Sequence, residues 1–462
     1  MKEDQRMEYD GKTRLCGLIG NPVEHTMSPL IHNTLARLKN QNLVYVPFHV
    51  KENLSDAVRG AYALNVLGMN VTVPYKSDVM ESIVDIDELA ERIGAVNTLV
   101  RTENGYKGYN TDMPGLLRGM QSDGIEIEGK DVVIVGAGGV ARAVAVLCAF
   151  SKVRKVYLMN RTVSKAEAIA NEVNNSFHKE IVTALGLHDY DSLPDEKMLA
   201  IQCTNIGMHP DVDSTPIEDA AFFEKIHTVY DLIYNPEETK FMKLAKSYGA
   251  KAFNGLKMLL YQGIIAFELW TDTKVSEEEA DYVYRILKLR GKECKHLILI
   301  GYMGSGKSTL GIKLSYRLQT PFLDTDKQIE REQGISISDI FANHGEAYFR
   351  DLETNQLEKI KKETSTLILS TGGGLPMREE NRKLLKEMGM VVYLKASYKT
   401  IYDRVKTDTT RPLLQCDNPK EKIEQMLMER GPFYEEAADV IIETDGKTCE
   451  EVLREIVMHW NV

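Results

Sequence analysis

Apolar runs of six to eight residues recur along the chain. Between them, apolar positions return every three or four residues, the spacing of an amphipathic helix. "LCGLIG", "VYVPFHV", "GMNVTV", "DVVIVG", "KVYLMN", "LAIQCTN" and "HTVYDLIY" read as strands. Their alternation with helical patterns predicts an α/β architecture on largely parallel sheets. "SEEEADYVYRILKLRG" is a helix with a readable start: Ser276 as N-cap and Glu279 three residues on form a capping box. Gly291 suits the position just past its end. A new strand, "HLILIG", begins at His296, so a boundary falls at 291–295 with "KECK" as the connection. There is no internal repeat or low-complexity segment.

Two glycine-rich turns break the pattern at strand ends. "KDVVIVGAGGVARAVAVL" runs strand, turn, helix, and reads G-x-G-x-x-A through Gly136, Gly138 and Ala141. That is an allowed form of the dinucleotide fingerprint, in which the backbone approaches a pyrophosphate at a helix N-terminus. A binder of NAD would place a carboxylate about twenty positions on, for the ribose 2′-hydroxyl. Here the next strand ends "LMNRT", and Arg161 can instead pair with a 2′-phosphate, which predicts NADP. The second turn, "GYMGSGKS", fits G-x-x-x-x-G-K-[ST] between the strand "HLILI" and the helical "TLGIKLSYRL". Backbone N–H groups of Gly304, Ser305, Gly306 and Lys307 would wrap the β-phosphate of ATP. Lys307 would reach the β and γ oxygens, and the Ser308 hydroxyl would ligate Mg2+. "FLDTDKQIE" places Asp324 and Asp326 at the end of the following strand, where two carboxylates can hold a metal's water and a hydroxyl acceptor.

Length and charge narrow the class. At 462 residues the chain exceeds one ordinary core, so two or three domains are expected. A net charge of −11 argues against a nucleic-acid or membrane-surface binder, which carries a basic face. The cysteines at 16, 148, 203, 294, 416 and 449 form no CxxC pair, which suits reduced thiols of a cytoplasmic protein. The start "MKEDQRMEYDGK" lacks the apolar region of a secretory signal.

From residue 296 the motifs "GYMGSGKS", "FLDTDKQIE", "GEAYFRDLE", "LSTGGG", "RPLL" and "ERGPFYEEAAD" follow in order, and this part closely resembles shikimate kinases. The resemblance implies a P-loop domain with a parallel sheet over 296–462. Asp326, Arg350, Gly373, Gly374 and Arg430 would form the shikimate pocket. Arg350 and Arg430 would grip the carboxylate, and Asp326 would hold ring hydroxyls and serve as candidate acceptor of the 3-hydroxyl proton. Asp324 would orient Mg2+ through water. Thr309 would complete the ATP loop, Arg411 would contact phosphates from a lid, and Arg404 would lie against adenine.

Upstream, "GLIGNPVEHTMSPLIHN", "MNVTVPYK", "GAVNT", "GYNTD", "TNIGM", "YDLIYNPEETK" and "NGLKMLLYQGIIAFELW" closely resemble shikimate dehydrogenases over 14–271. That family has a catalytic domain made of the first segment and the last helices, here 1–114 with 252–290, around a Rossmann-type NADP domain, here 115–251. Lys76 and Asp112 would be the proton-transfer pair. Thr26 and Ser28 would bind the substrate carboxylate with Tyr234 nearby, and Thr72, Asn97 and Gln262 the ring hydroxyls. NADP would lie on Gly136, Ala137, Gly138, Gly139, Val140 and Ala141, with Asn160, Arg161 and Thr162 at the 2′-phosphate. Thr204, Met208 and Gly255 would flank the nicotinamide. One departure stands out: Thr26 occupies a position where the family usually has serine. His25 and His32, beside that loop, are read as satisfied structural histidines. The expected activities are reduction of 3-dehydroshikimate with NADPH and phosphorylation of shikimate with ATP, by a monomer or homodimer with no nucleic-acid or membrane partner. Two alternatives stay open: a quinate-oxidising, NAD-preferring first half, and a non-enzymatic sensor.

Overall fold

The structure is a computed structural model that describes residues 10–24, 26–291, 296–363, 365–406 and 418–460, with no side chains described for 289–291. The chain divides into two compact units at Leu287 and Lys288. From residue 292 the expected 291–295 linker lies outside the described residues, as do His25 and Arg411.

The first unit holds two sheets. β1 (Arg14–Gly20), β2 (Leu43–His49), β3 (Gly68–Val71), β4 (Asp85–Ile86), β5 (Thr98–Thr102) and β6 (Gly105–Tyr109) order as β2-β1-β3-β5-β6-β4. This sheet is mixed, and so departs from the parallel expectation. β5 runs antiparallel to both β3 and β6. The β5–β6 reversal is local: Thr102 pairs with Gly105 across the two-residue turn Glu103-Asn104, a connection short enough to join only antiparallel strands.

β7 (Asp131–Val135), β8 (Lys155–Asn160), β9 (Val182–Gly186), β10 (Met198–Gln202), β11 (Ile226–Asp231) and β12 (Lys251–Asn254) form the second sheet, ordered β12-β11-β10-β7-β8-β9 and parallel throughout. Helices on both faces bury it, which is why "VVIV" and "MLAI" read as unbroken apolar runs. The order reverses between β7 and β10, and ligands of such sheets bind at that switch point.

After β12 the chain returns to the first sheet. Leu260, Ile264, Phe267 and Trp270 of the helix Leu256–Thr271, with Val283 and Leu287 of the next, share one core with Cys16, Leu18 and Tyr45. The helices Asp112–Ser122 and Leu256–Thr271 lie very close. A Cβ on Gly115 would stand 2.6 Å from the Gln262 backbone nitrogen, so only glycine fits there. This approach brings Asp112, at the head of one helix, toward Gln262 in the middle of the other. The Ser276–Glu279 capping box forms: each backbone N–H donates to the other's side chain, at 2.8 and 3.3 Å.

The second unit has one parallel sheet: β13 (His296–Ile300), β14 (Phe322–Asp324), β15 (Ile368–Ser370), β16 (Gly389–Lys395) and β17 (Val440–Glu443), ordered β14-β15-β13-β16-β17. β13, at its centre, delivers the phosphate-type loop into the helix Lys307–Leu318. No described helix is long and apolar enough to cross a membrane.

Candidate active sites

A cleft of about 450 Å³ opens in the first unit between elements of the two sheets. Thr26, Ser28, Thr72, Lys76, Asn97, Asp112, Tyr234, Gly255 and Gln262 all line it, as do Val140 and Met258. Lys76 leaves the turn after β3. Asp112 is the first residue of its helix, where the exposed N–H groups favour a negative charge. The Lys76 Nζ donates to Asp112 Oδ2 at 2.7 Å. The Val96 N–H donates to the Lys76 carbonyl at 2.8 Å, which ties this lysine to the loop carrying Asn97. Asn97 is buried, and its side-chain oxygen accepts the Thr111 N–H at 2.7 Å. Its amide nitrogen makes no hydrogen bond among the described residues. The Ser28 N–H donates to the Thr26 hydroxyl oxygen at 3.2 Å, so a hydroxyl at position 26 shapes the turn that presents Ser28. Asn70, which also lines the cleft, was not among the expected residues. It sits on β3 inside "MNVTV", where strand alternation gives no sign that its amide faces a cavity. The Tyr45 hydroxyl donates to its oxygen at 2.8 Å.

His32 departs from expectation. It is fully buried and stacked on Tyr45 at 4.2 Å, and among the described residues neither ring nitrogen has a hydrogen bond of normal geometry. It is structural but not satisfied. Burial holds it neutral and pushes its pKa down to about 3, only weakly opposed by Asn70.

The dinucleotide turn has the shape a pyrophosphate requires. Gly136 adopts φ +114°, and a Cβ there would meet Thr204 Cγ2 at 2.9 Å. At Gly138 and Gly139 a Cβ would meet nothing within 4 Å, so that side of the turn is open to a ligand. The helix Gly139–Phe150 starts on Gly138 with no side-chain cap, which leaves its first N–H groups for an anion. Ala141 is buried and packs the helix on the sheet. At the end of β8 the Asn160 amide donates to the Thr162 carbonyl at 2.8 Å, and the exposed Arg161 makes no ion pair among the described residues. After β10, the Thr204 hydroxyl accepts the Ile206 N–H at 3.1 Å, and Met208 is half exposed. A Cβ on Gly255 would strike the Leu232 carbonyl at 2.2 Å.

The second unit carries the other cradle. Gly301, Gly304 and Gly306 all have positive φ, at +142°, +75° and +102°. The Lys307 Nζ donates to the Gly301 and Tyr302 carbonyls at 2.8 and 3.0 Å, so the lysine is folded over its own loop. The Ser308 hydroxyl donates to Asp324 Oδ2 at 2.8 Å. A hydroxyl and a carboxylate side by side at the cradle's mouth fit a divalent cation held at Ser308, with Asp324 behind its water. The Arg404 Nη1 donates to the Gly304 and Ser305 carbonyls at 3.3 and 3.2 Å. Thr309 is exposed on the first helical turn.

Asp324 ends β14 and caps the next helix, whereas Asp326 lies in the first turn of that helix, Thr325–Gln333, and not on the strand. The helical start turns Asp326 inward. Its Oδ1 is buried with no hydrogen-bond partner among the described residues, and burial first, then the neighbouring Asp324 charge, raises its pKa to about 6. Arg350 donates to Glu353 and to Glu346, both at 2.8 Å. Glu353, fully buried and pushed up to about 7 by that burial, was not anticipated, although "RDLE" puts it on the same helical face as Arg350. Gly372 lies between the two acids: a Cβ there would stand 2.5 Å from Asp326 Oδ1 and 2.9 Å from Glu353 Oε1. A Cβ on Gly374 would overlap the Arg350 guanidinium. The Arg430 guanidinium lies 5.9 Å from the Tyr302 ring. Asp326, Arg350, Gly373 and Gly374 therefore gather beside the cradle.

Comparison with known families follows the same division. The shikimate dehydrogenase substrate binding domain matches residues 18–99, shikimate / quinate 5-dehydrogenase 120–205, the shikimate 5'-dehydrogenase C-terminal domain 255–280, and shikimate kinase 303–460. The chain is 44% identical to the NADP(+) shikimate dehydrogenase of Desulforamulus reducens, across 57% of this chain and 91% of the relative. To that of Methanocaldococcus jannaschii it is 42% identical, across 58% and 95%. A crystal structure of a shikimate dehydrogenase in complex with NADP+ superposes with a TM-score of 0.54 at 40% identity, covering 60% of this chain and 96% of that one.

Proposed function

The chain belongs to the shikimate dehydrogenase family and carries a shikimate kinase domain after it, and from that premise we propose which residues perform two successive reactions on one ring. The first reduces 3-dehydroshikimate to shikimate with NADPH. The second phosphorylates shikimate to shikimate 3-phosphate with ATP. Residues 1–114 with 252–290 form the substrate-binding domain, 115–251 the NADP domain and 296–462 the kinase domain.

The observation that carries the first half is the 2.7 Å Lys76–Asp112 pair inside a cleft of hydroxyl and amide groups. NADPH supplies a hydride to the ring carbonyl carbon. Lys76 gives a proton to the oxygen that becomes an alkoxide, and Asp112 keeps the ammonium aimed and charged until then. Ser28 and Thr26 hold the carboxylate, with Tyr234 at the rim, while Thr72, Asn97 and Gln262 fix the hydroxyls. Arg161, in place of a carboxylate, favours NADP over NAD.

In the second half the catalysis is positioning and charge neutralisation. ATP supplies the phosphoryl group. The N–H groups of the 304–309 loop and Lys307 neutralise its oxygens, and Arg350 and Arg430 orient the carboxylate of shikimate. Asp326 accepts the 3-hydroxyl proton, for which a pKa raised to about 6 suits a base near neutral pH. Ser308 and Asp324 hold Mg2+. We place the enzyme in the cytoplasm, as a monomer or homodimer. The test is one incubation with 3-dehydroshikimate, NADPH, ATP and Mg2+, with products identified by mass. Shikimate 3-phosphate should form, with one NADPH oxidised per ring. Absence of NADPH oxidation, or shikimate that is never phosphorylated, overturns the corresponding half.

A further inference from the structure

A peptide bond between two glycines turns over easily, because neither residue has a Cβ to bias φ. Gly373–Gly374 is such a bond, and it lies against the Arg350 guanidinium. One side chain restrains it. The Tyr434 hydroxyl donates to the Gly373 carbonyl oxygen at 2.5 Å. In a trans peptide the carbonyl and the following N–H point to opposite sides of the chain. Holding the Gly373 oxygen therefore also sets the direction of the Gly374 N–H, which makes no hydrogen bond among the described residues.

Tyr434 is well placed to act as a fixed anchor. It is fully buried in the helix Pro419–Ala437 and stacks on Tyr393 of β16 at 5.1 Å. Burial raises the pKa of its hydroxyl, so it stays a donor over any working pH. Arg430 lies one turn earlier on the same helix, where its positive charge pulls the other way on that hydroxyl's pKa. A single buried phenol thus ties its helix to the glycine loop assigned to the substrate. The nucleotide loop has other restraints: Arg404 holds the Gly304 and Ser305 carbonyls.

We propose that Tyr434 is a positioning residue of the kinase half, acting through the Gly373–Gly374 peptide to set affinity for the carboxylated ring and not for the nucleotide. This rests on the shikimate kinase reading above. The experiment uses the full chain with Tyr434→Phe, which keeps the buried ring and its stacking and removes only the hydroxyl. KM for shikimate should rise by about fivefold to tenfold, the scale of one lost buried hydrogen bond. KM for ATP should be unchanged, as should binding of a non-hydrolysable ATP analogue measured by calorimetry. An unchanged KM for shikimate in an active enzyme overturns the proposal alone. Loss of both shikimate and ATP-analogue binding also overturns it, because that is general damage to the fold. A wild-type chain that fails to phosphorylate shikimate removes the underlying reading instead.

Discussion

Arg161 and His32 show how differently two single residues can be tested. Arg161 stands exposed at the end of β8 with no ion pair among the described residues, so any charge it neutralises must come from a ligand. Arg161→Ala should lower kcat/KM with NADP by about ten- to a hundredfold, corresponding to about 1.5–3 kcal/mol for one charge-assisted contact. The value with NAD should move much less, since NAD lacks the 2′-phosphate. Equal losses with both cofactors would exclude this role. His32 acts through stability. Its folded-state pKa, about 3, lies below the ordinary value of 6.5. The unfolded chain therefore takes up a proton that the folded chain refuses. Its stabilising contribution is complete above pH 6.5 and declines as pH falls below it, by up to about 1.4 kcal/mol per pH unit. His32→Phe keeps a ring against Tyr45 and cannot titrate. Between pH 6.5 and 4.5 the wild type should lose more thermal-inactivation midpoint, followed by reductase activity, than the variant does. Asp231, pushed up to about 6 by burial, contributes the opposite slope between 3.8 and 6, but it is present in both proteins and cancels. Parallel pH profiles would show that His32 contributes no linkage.

At the scale of elements, what was legible in the sequence was whatever rests on local backbone chemistry. Strand, glycine turn and helix follow from short-range rules, so both cradles could be placed to within a residue or two. The Ser276 cap could be placed for the same reason. Partners distant in sequence were legible only where the family resemblance named them, as for Lys76 and Asp112. The inward turn of Asp326 depends on a helix starting at Thr325, and Glu353 and Tyr434 matter through the glycine loop they meet across the fold. The antiparallel β5–β6 pair was not legible either, because its two turn residues, Glu103-Asn104, are not an Asn-Gly pair and Gly105 already belongs to β6. The two kinds of glycine in the dinucleotide turn make a prediction of their own. Gly136→Ala meets both a strained φ of +114° and the Thr204 methyl, so it should cost about 1–3 kcal/mol of stability and also weaken NADP binding. Gly138→Ala meets nothing within 4 Å in the free protein. It should leave the inactivation temperature near wild type and still raise KM for NADP several-fold, because the methyl fills space the pyrophosphate needs. Equal destabilisation by the two substitutions would refute the distinction.

Across the whole molecule, the first unit has two sheets and the second has one, and each unit has its own hydrophobic cores and its own glycine-rich cradle. The residues assigned to each chemistry come from one unit: Lys76 and Asp112 with the 136–141 turn, and Lys307 and Asp326 with the 304–309 loop. Lys76 pairs with Asp112 of its own unit, and Asp326 sits by Asp324 and Gly372 of its own, so the two activities should separate cleanly by mutation. Lys76→Ala removes the proton donor and should cut reductase turnover by about a hundredfold or more. The same variant, given shikimate and ATP, should make shikimate 3-phosphate at the wild-type rate. Lys307→Ala removes the cation at the phosphates and should abolish phosphoryl transfer. Given 3-dehydroshikimate and NADPH, it should oxidise NADPH at the wild-type rate and accumulate shikimate even with ATP present. Mixing the two variants in equal amounts should restore conversion of 3-dehydroshikimate to shikimate 3-phosphate, because shikimate released by one chain is substrate for the other. If either variant loses both activities while its thermal inactivation is unchanged, the two sites are energetically coupled and this independence is wrong.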